Sequence, residues 1–306
     1  MVTTPQVPVP VIDKSDPGLS FDAARPLAFM HIPKTSGVAL MSALEGALSP
    51  GTVTKGFDLC LFGSFRDFET MDPAVQQRIH ASPTSLAPES TLIAGHFSFS
   101  TLRQAFPHAQ MTTILREPSS RLLSHWLFWR QQSDLALTRL GRWADFVRHS
   151  REPLARFLAE PAIACQTDNL ALRMLLWPHP LIHEDRFIEP IHDEPLFIEA
   201  EARLRMFDFV DILENEKLSQ RLEHWLGRAL RYERVNETTS IPTEYRSPLN
   251  LEFTSHVHEL LAAHSRLDLR LWASVVKQRL PDCEITTLRE RTILSSVARY
   301  SVLMAD

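Results

Sequence analysis

A short polar loop at residues 31–37 contains the first side chains that could bind an anion. Lys34 would supply a full positive charge, and Thr35 and Ser36 would add hydroxyl donors. A helical pattern opens at Gly37, and the unpaired N–H groups of a helix N-terminus attract phosphate or sulfate. The spacing therefore indicates an anion site, with an ordinary turn and a solvated lysine as the alternative.

A second candidate anion site follows the apolar segment 111–115. Arg116 would stand at the end of a buried strand, where a guanidinium can hold a phosphate through two hydrogen bonds. Ser124 would lie about two turns into the next helix and present its hydroxyl beside the arginine. The alternative for Arg116 is a structural ion pair with Glu117 or another acid. Two such sites at neighbouring strand ends are harder to explain as structural features than either site alone.

A candidate base follows the apolar segment 91–94, which lies between the two anion sites in sequence. Imidazole accepts a proton readily near neutrality because its usual pKa is about 6.5, and this position selects His96 among the 13 histidines. His31 is interpreted as structural, and His125 as facing another side of its helix. Glu45 is a weaker, acidic alternative for the base.

These motifs resemble those of sulfotransferases that use 3′-phosphoadenosine 5′-phosphosulfate (PAPS), particularly the uronyl 2-O type of carbohydrate enzyme and its bacterial relatives. Residues 31–38 are similar to the H-x-P-K-T-G-G-T loop, which holds the 5′-phosphosulfate in that family. Residues 116–124 match the string R-[DE]-P-x-x-R-x-x-S, which holds the 3′-phosphate. Gly95 and His96 match the G-H motif that carries the family's catalytic base. The resemblance spans roughly residues 26–280.

The resemblance implies transfer of a sulfuryl group from PAPS to a hydroxyl, with a carbohydrate as the expected acceptor. His96 is expected to remove the hydroxyl proton, and Lys34 to neutralise charge on the leaving oxygen. Asn169 and Arg173, four residues apart on one helical face, are expected to contact the acceptor. No metal is expected, because the lysine and backbone amides replace magnesium. The expected PAPS-binding residues are Lys34, Thr35, Ser36, Gly37, Val38, Arg116, Ser124 and Asn236.

Two departures from the family pattern keep other functions open. Val38 and Ala39 stand where the family usually has hydroxyl side chains, and Ser36 replaces a common glycine. One alternative is therefore a non-catalytic nucleotide-binding module with a degenerate sulfotransferase fold. Another is a small-molecule kinase, which is weakened because the loop lacks the G-x-x-x-x-G-K-[ST] spacing of an ATP-binding loop.

Further candidates for acceptor contacts lie in residues 126–156. Trp126, Trp129 and Trp143 could stack on sugar rings, although core packing is the expected role of at least two of them. Five arginines at positions 139, 142, 148, 151 and 156 could bind an anionic sugar. A solvated helix face is the favoured interpretation of these arginines.

Strands that alternate with helices must position these residues. Four apolar segments predict strands, at residues 26–32, 91–94, 111–115 and 207–213. Helical patterns include residues 167–176, 195–206, 214–230 and 249–280. Residues 55–90 lack a strong period and predict only a short helix around 72–80. The alternation favours an α/β fold with a P-loop-like parallel sheet covered by helices on both faces, and the resemblance specifies the sulfotransferase fold.

Composition limits the remaining organisation. Residues 1–24 are predicted to be a flexible tail, 25–282 a single sulfotransferase domain, and 283–306 a C-terminal extension. The net charge of −5 provides no global positive field for nucleic acid or an anionic membrane. Three scattered cysteines and the lack of a signal-like or membrane-spanning segment favour a cytoplasmic protein without a disulfide framework or zinc site. Oligomeric state is left open.

Overall fold

The computed structural model describes residues 20–58, 68–80, 82–232 and 240–305. Within these residues one sheet contains six strands: β1 (Leu27–Met30), β2 (Val53–Asp58), β3 (Ile79–His80), β4 (Leu92–His96), β5 (Gln110–Leu115) and β6 (Phe209–Ile212). Their order across the sheet is β3-β2-β4-β1-β5-β6, and every neighbouring pair is parallel. The predicted parallel α/β sheet is confirmed.

The helices connect these strands and extend beyond them. Those of the described residues are α1 (Gly37–Leu48), α2 (Pro73–Gln76), α3 (Phe99–Ala105), α4 (Pro118–Arg130), α5 (Asp134–Thr138), α6 (Trp143–Arg148), α7 (Leu154–Ala159), α8 (Ala164–Thr167), α9 (Leu170–Leu176), α10 (Asp193–Leu204), α11 (Leu218–Leu226), α12 (Leu249–Glu252), α13 (Ser255–Arg279) and α14 (Ile285–Met304). Across the described part of the chain, none of them combines the length and apolar character needed to cross a bilayer.

Side chains of the central strand alternate between two helical layers, as the period of a strand requires. Leu27 and Phe29 of β1 point to one face and pack with residues of α1 and α11. Ala28 and Met30 point to the other face and pack with residues of α3, α9, α10 and α13. The sheet is thus covered on both faces, and the expected three-layer arrangement is confirmed.

Strands β2 and β3 were not predicted, because the pattern of β2 is the reverse of a typical amphipathic strand and β3 is only two residues long. The buried positions of β2 are Thr54, Gly56 and Asp58 rather than apolar residues. Their polar groups find partners distant in sequence: the Thr54 hydroxyl lies 2.6 Å from that of Ser90, and Asp58 accepts the N–H of Ser98 at 2.7 Å. The short helix expected near residues 72–80 is present as α2, but it is followed immediately by β3.

A third apolar cluster lies around α4 and includes residues of α6, α7, α13 and α14. Its centre is Trp126, which is fully buried. Tyr300 and Met304 anchor α14 in this cluster, so residues that the sequence described only as an extension form a long packed helix. The division of the chain into tail, domain and extension remains a prediction.

The connections reverse direction between β1 and β5. From β1 the chain passes through α1 to β2, which lies towards the β3 end of the strand order. From β5 it passes to β6, which lies at the opposite end of the strand order. Such a reversal opens a crevice at the carboxyl ends of the two strands, where ligands of open α/β sheets bind. Lys34 and Arg116 follow these two strands, and β4, the other neighbour of β1, ends at His96. The topology therefore places all three candidate groups at one edge.

Candidate functional site

A cavity of about 580 Å³ opens at this edge of the sheet. Pockets that bury one small ligand typically have volumes of about 300–1,000 Å³. The structure brings together most of the predicted site, since the cavity is lined by Lys34, Thr35, Ser36, Gly37, Val38, His96, Arg116 and Ser124. Asn236 lies outside the described residues.

The loop after β1 has an unusual backbone. Lys34 and Ser36 have φ values of 70° and 62°, in the left-handed region that residues other than glycine rarely adopt. The hydroxyl of Thr35 donates to the carbonyl of Ile32 at 2.8 Å, so this side chain shapes the loop from within. Ser36 precedes α1 without capping it through its side chain. The first N–H groups of α1 are therefore not capped by this hydroxyl and border the cavity.

Gly37 is required by a neighbouring ring. A Cβ atom at this position would lie 1.9 Å from the ring of His31, closer than any real contact. That ring is buried and lies 4.4 Å, centroid to centroid, from the ring of His96 and 5.6 Å from that of Phe29. The glycine thus admits a histidine that packs under the loop, and the interpretation of His31 as structural agrees with these contacts.

Arg116 connects the two candidate anion sites directly. Its Nη1 donates to the backbone carbonyl of Lys34 at 3.0 Å. Glu117, the suggested partner of Arg116, instead caps α4 by accepting the N–H of Ser120, and its other oxygen lies 3.4 Å from the Arg289 guanidinium. Pro118 occupies the first turn of α4, as expected. Arg116 therefore braces the Lys34 loop while it lines the cavity.

Helix α14 forms part of the cavity wall and is joined to α4 by hydrogen bonds. The hydroxyl of Tyr300 donates to Ser124 Oγ at 3.0 Å, and the hydroxyls of Ser120 and Ser296 lie 2.6 Å apart. Arg299 and Tyr300 line the cavity beside the predicted residues. This helix was not predicted from the sequence. It carries no motif, and its signal is the helical spacing of its buried residues.

The cavity has an excess of positive charge. Its lining carries the cations Lys34, Arg116 and Arg299, and one carboxylate, Glu216. Burial, and then the charges of Arg116 and Arg299, lower the pKa of Lys34 to about 8. The ammonium lies 4.0 Å from the centroid of the Phe128 ring, a favourable cation–π contact. The positive charges of Lys34, Arg116 and Arg299 around one cavity favour a ligand that carries several negative charges.

His96 is held in one tautomer. Its Nδ1 lies 2.6 Å from the carbonyl oxygen of His31, so Nδ1 carries the proton of the neutral ring and Nε2 carries the lone pair. Burial, and to a lesser degree the charges of Arg78 and Lys34, lower the pKa of His96 to about 4. The imidazole is therefore neutral at physiological pH, the state in which it can accept a proton.

The position of His125 differs from the prediction. This residue was expected to face another side of its helix, yet it lines the cavity. The helix α4 turns one face, which includes His125, Phe128 and Trp129, towards the cavity. The His125 and Trp129 rings lie 4.5 Å apart, centroid to centroid.

Asn169 and Arg173, expected to contact the acceptor, do not line the cavity. No more than 1% of either residue is exposed. The Asn169 side chain accepts the N–H groups of Leu267 and Asp268 at 2.8 and 3.2 Å and donates to Asp168 at 2.7 Å. With φ of 47°, Asn169 also separates α8 from α9, so the helix predicted for residues 167–176 begins only at Leu170. These contacts give Asn169 a structural role.

The guanidinium of Arg173 is likewise used within the protein. It forms a buried ion pair of 2.7 Å with Asp168 and donates to the carbonyls of His183 and Arg186 at 2.6 and 2.7 Å. The side chain therefore ties α9 to the segment before α10. These contacts give Arg173 a structural role that does not require a ligand.

The remaining candidates divide clearly. Trp126, Trp129 and Trp143 all belong to the apolar cluster around α4, and Trp129 and Trp143 also line the cavity. Glu45 is not among the lining residues and pairs with Lys55 at 2.6 Å. The arginine-rich segment supports the solvated-face interpretation, since acids lie within 4 Å of four of its arginines: Arg139–Asp72, Arg148–Asp145, Arg151–Asp134 and Arg156–Glu152.

Comparison with known proteins adds no family to this description. The chain matches no protein-family model, and no curated protein sequence is significantly similar to it. What can be said of its function therefore rests on the motifs and on the geometry around the cavity.

The contact between Gly37 and His31 predicts a sharp difference between two glycines of α1. We expect Gly37→Ala to destabilise the protein by about 1–3 kcal/mol, because the new Cβ would overlap the His31 ring and displace it from its packing against Phe29 and His96. Gly46→Ala, in the same helix with nothing within 4 Å of the new Cβ, should be neutral or slightly stabilising. Urea unfolding measures both; equal midpoints for the two variants would contradict the assignment.

The buried contacts of Arg173 predict a loss of stability rather than a loss of substrate binding. Arg173→Met should destabilise the protein by about 3–5 kcal/mol, because the buried Asp168 loses its nearest cation, at 2.7 Å, and keeps only Arg266 at 3.9 Å. Arg148→Met, at an exposed pair, should unfold close to wild type. A stable Arg173→Met protein with impaired turnover would instead support the role expected from the sequence.

Proposed function

We propose that this protein is a PAPS-dependent sulfotransferase with the sulfotransferase fold, acting on a hydroxyl acceptor. The observation that carries the proposal is the 3.0 Å hydrogen bond between Arg116 and the Lys34 carbonyl, which joins the two candidate anion-binding loops in one cavity. PAPS has two anionic groups, the 5′-phosphosulfate and the 3′-phosphate, and therefore needs two such loops within the reach of one nucleotide. The motif resemblance supports the same assignment.

Each loop would bind one end of the nucleotide. Lys34 and the N–H groups that open α1 are suited to the 5′-phosphosulfate, since Val38 and Ala39 can contribute backbone donors despite their apolar side chains. Arg116 and Ser124 are suited to the 3′-phosphate, with the Tyr300 hydroxyl holding Ser124 in position. Asn236, by resemblance, would belong to a loop over the nucleotide.

The reaction would be an in-line displacement at sulfur. The acceptor oxygen forms a bond to sulfur while the bond from sulfur to the bridging oxygen breaks, leaving 3′-phosphoadenosine 5′-phosphate (PAP). His96 Nε2 would take the acceptor proton, and Lys34 would stabilise charge on the bridging oxygen. A nucleotide anion would also offset the charges of Arg78 and Lys34, which are the lesser causes of the lowered pKa of His96.

The acceptor is proposed to be a carbohydrate. Trp129 and Trp143 present aromatic surface to the cavity, which suits the apolar face of a sugar ring. A cytoplasmic location is part of the proposal, since the free thiol of Cys165 is buried away from any partner that could form a disulfide in the described chain. The kinase and the non-catalytic module remain the competing functions.

Transfer of labelled sulfate from PAPS to a carbohydrate panel, with PAP binding measured by calorimetry, tests the proposal. Lys34→Ala and Arg116→Ala should each weaken PAP binding about 10- to 100-fold, the effect of losing a charged hydrogen bond. His96→Asn should bind PAP nearly normally but turn over about 10²- to 10⁴-fold more slowly, because an amide cannot accept the proton. Arg148→Ala, outside the cavity, is the matched control and should behave as wild type.

Other results would favour the alternatives. PAP binding without transfer to any acceptor would favour the non-catalytic module. Transfer of phosphate from ATP, abolished by chelation and restored by magnesium, would favour the kinase. Wild-type protein that binds no PAP would reject the proposal.

The lowered pKa of Lys34 predicts how PAP binding depends on pH. The ammonium is present below its pKa of about 8 and is lost as the pH rises through that value. PAP affinity should therefore be constant near pH 7 and fall about tenfold by about pH 9. Lys34→Arg should give a flat profile over the same range, because a guanidinium stays protonated. A wild-type profile that is equally flat would show that Lys34 does not bind the nucleotide through its charge.

A further inference from the structure

His125 is a buried imidazole whose polar atoms the protein does not use. Only 3% of the residue is exposed. Among the described residues, neither Nδ1 nor Nε2 has a hydrogen-bond partner. A buried donor or acceptor without a partner destabilises a protein, so such a group calls for an explanation.

The position of the ring suggests what would satisfy it. His125 lines the cavity and lies one helical turn before Phe128, whose ring contacts the Lys34 ammonium. The ring is therefore on the wall that faces the Lys34 loop. The nitrogen atoms have almost no accessible surface of their own, so a ligand that lies against Lys34 would reach one of them after a small rotation of the ring.

The surroundings of the ring are positive. The titratable groups that act on it are Arg121 of its own helix and Lys34 of the loop after β1, which are cationic, and His96 at the end of β4, which is neutral near pH 7. Burial first, and then these groups, lower its pKa well below the usual value. A neutral imidazole still has one N–H to donate, and in a positive environment an oxyanion is the acceptor that is most favourably placed there.

We propose that His125 donates a hydrogen bond to the oxyanion held by Lys34, and so forms part of the cofactor site. The identity of that oxyanion as the 5′-phosphosulfate of PAPS rests on the proposed function. No motif that suggested the nucleotide site includes His125. It would supply a donor from α4. On the other side of the anion, Val38 and Ala39 at the start of α1 have apolar side chains and supply none.

Two substitutions separate the hydrogen bond from the packing of the ring. His125→Phe keeps an aromatic ring beside Trp129 but has no N–H, and should weaken PAP binding about 10-fold or more. His125→Gln, whose amide can donate, should recover part of the affinity. His256→Ala, an exposed histidine on α13, is the matched control and should bind as wild type. Unfolding midpoints of all variants show whether any loss reflects folding.

A titration with inorganic sulfate, followed by the ring C–H signals of His125 in NMR spectra, tests the contact without the nucleotide. The signals, assigned by their absence in His125→Phe, should shift with sulfate in wild type. A folded His125→Phe protein that binds PAP as wild type would overturn the inference. Sulfate-dependent shifts in a protein that binds no PAP would support the anion contact and reject the nucleotide, and no response to either ligand would reject both.

Discussion

The hydrogen bond from Arg116 to the Lys34 carbonyl is the constraint on which the site depends. It joins the loops after β1 and β5, at the point where the connections of the sheet diverge, and it leaves two positive groups side by side. The left-handed backbone at Lys34 and Ser36 is held between this guanidinium and the Thr35 hydroxyl. Strained backbone of this kind is costly and is concentrated at functional sites.

Behind the cavity, acidic residues organise the elements that carry these cations. Glu214, at the end of β6, accepts the N–H of Glu117 and the indole N–H of Trp272. Asp268, one turn before Trp272 on α13, accepts the first N–H groups of α9 at 2.9 and 3.0 Å. Burial raises the pKa of both carboxyl groups, although these hydrogen bonds oppose the shift. The acids therefore stabilise backbone ends, while the cations remain directed at the cavity.

The sequence predicted the features that local pattern determines. Buried apolar runs identified β1, β4, β5 and β6, and the residues at the ends of three of them include Lys34, His96 and Arg116, which line the cavity. Strand β2 was missed because its buried polar residues depend on partners that only the folded chain supplies. The face of α4 that carries His125 was assigned wrongly, since this helix is buried almost all round and has no polar side to orient it. Arg299 and Tyr300 reach the site only through tertiary packing.

The packing of α14 has a consequence for biosynthesis. This helix follows every other element in the chain, yet Tyr300 and Arg299 form part of the cavity wall. Because the ribosome extends a chain from its N-terminus, the sheet and its two cation-bearing loops are synthesised well before this wall. A domain generally folds as a unit, and a nascent chain can form a complete pocket only after residues 285–304 have left the exit tunnel.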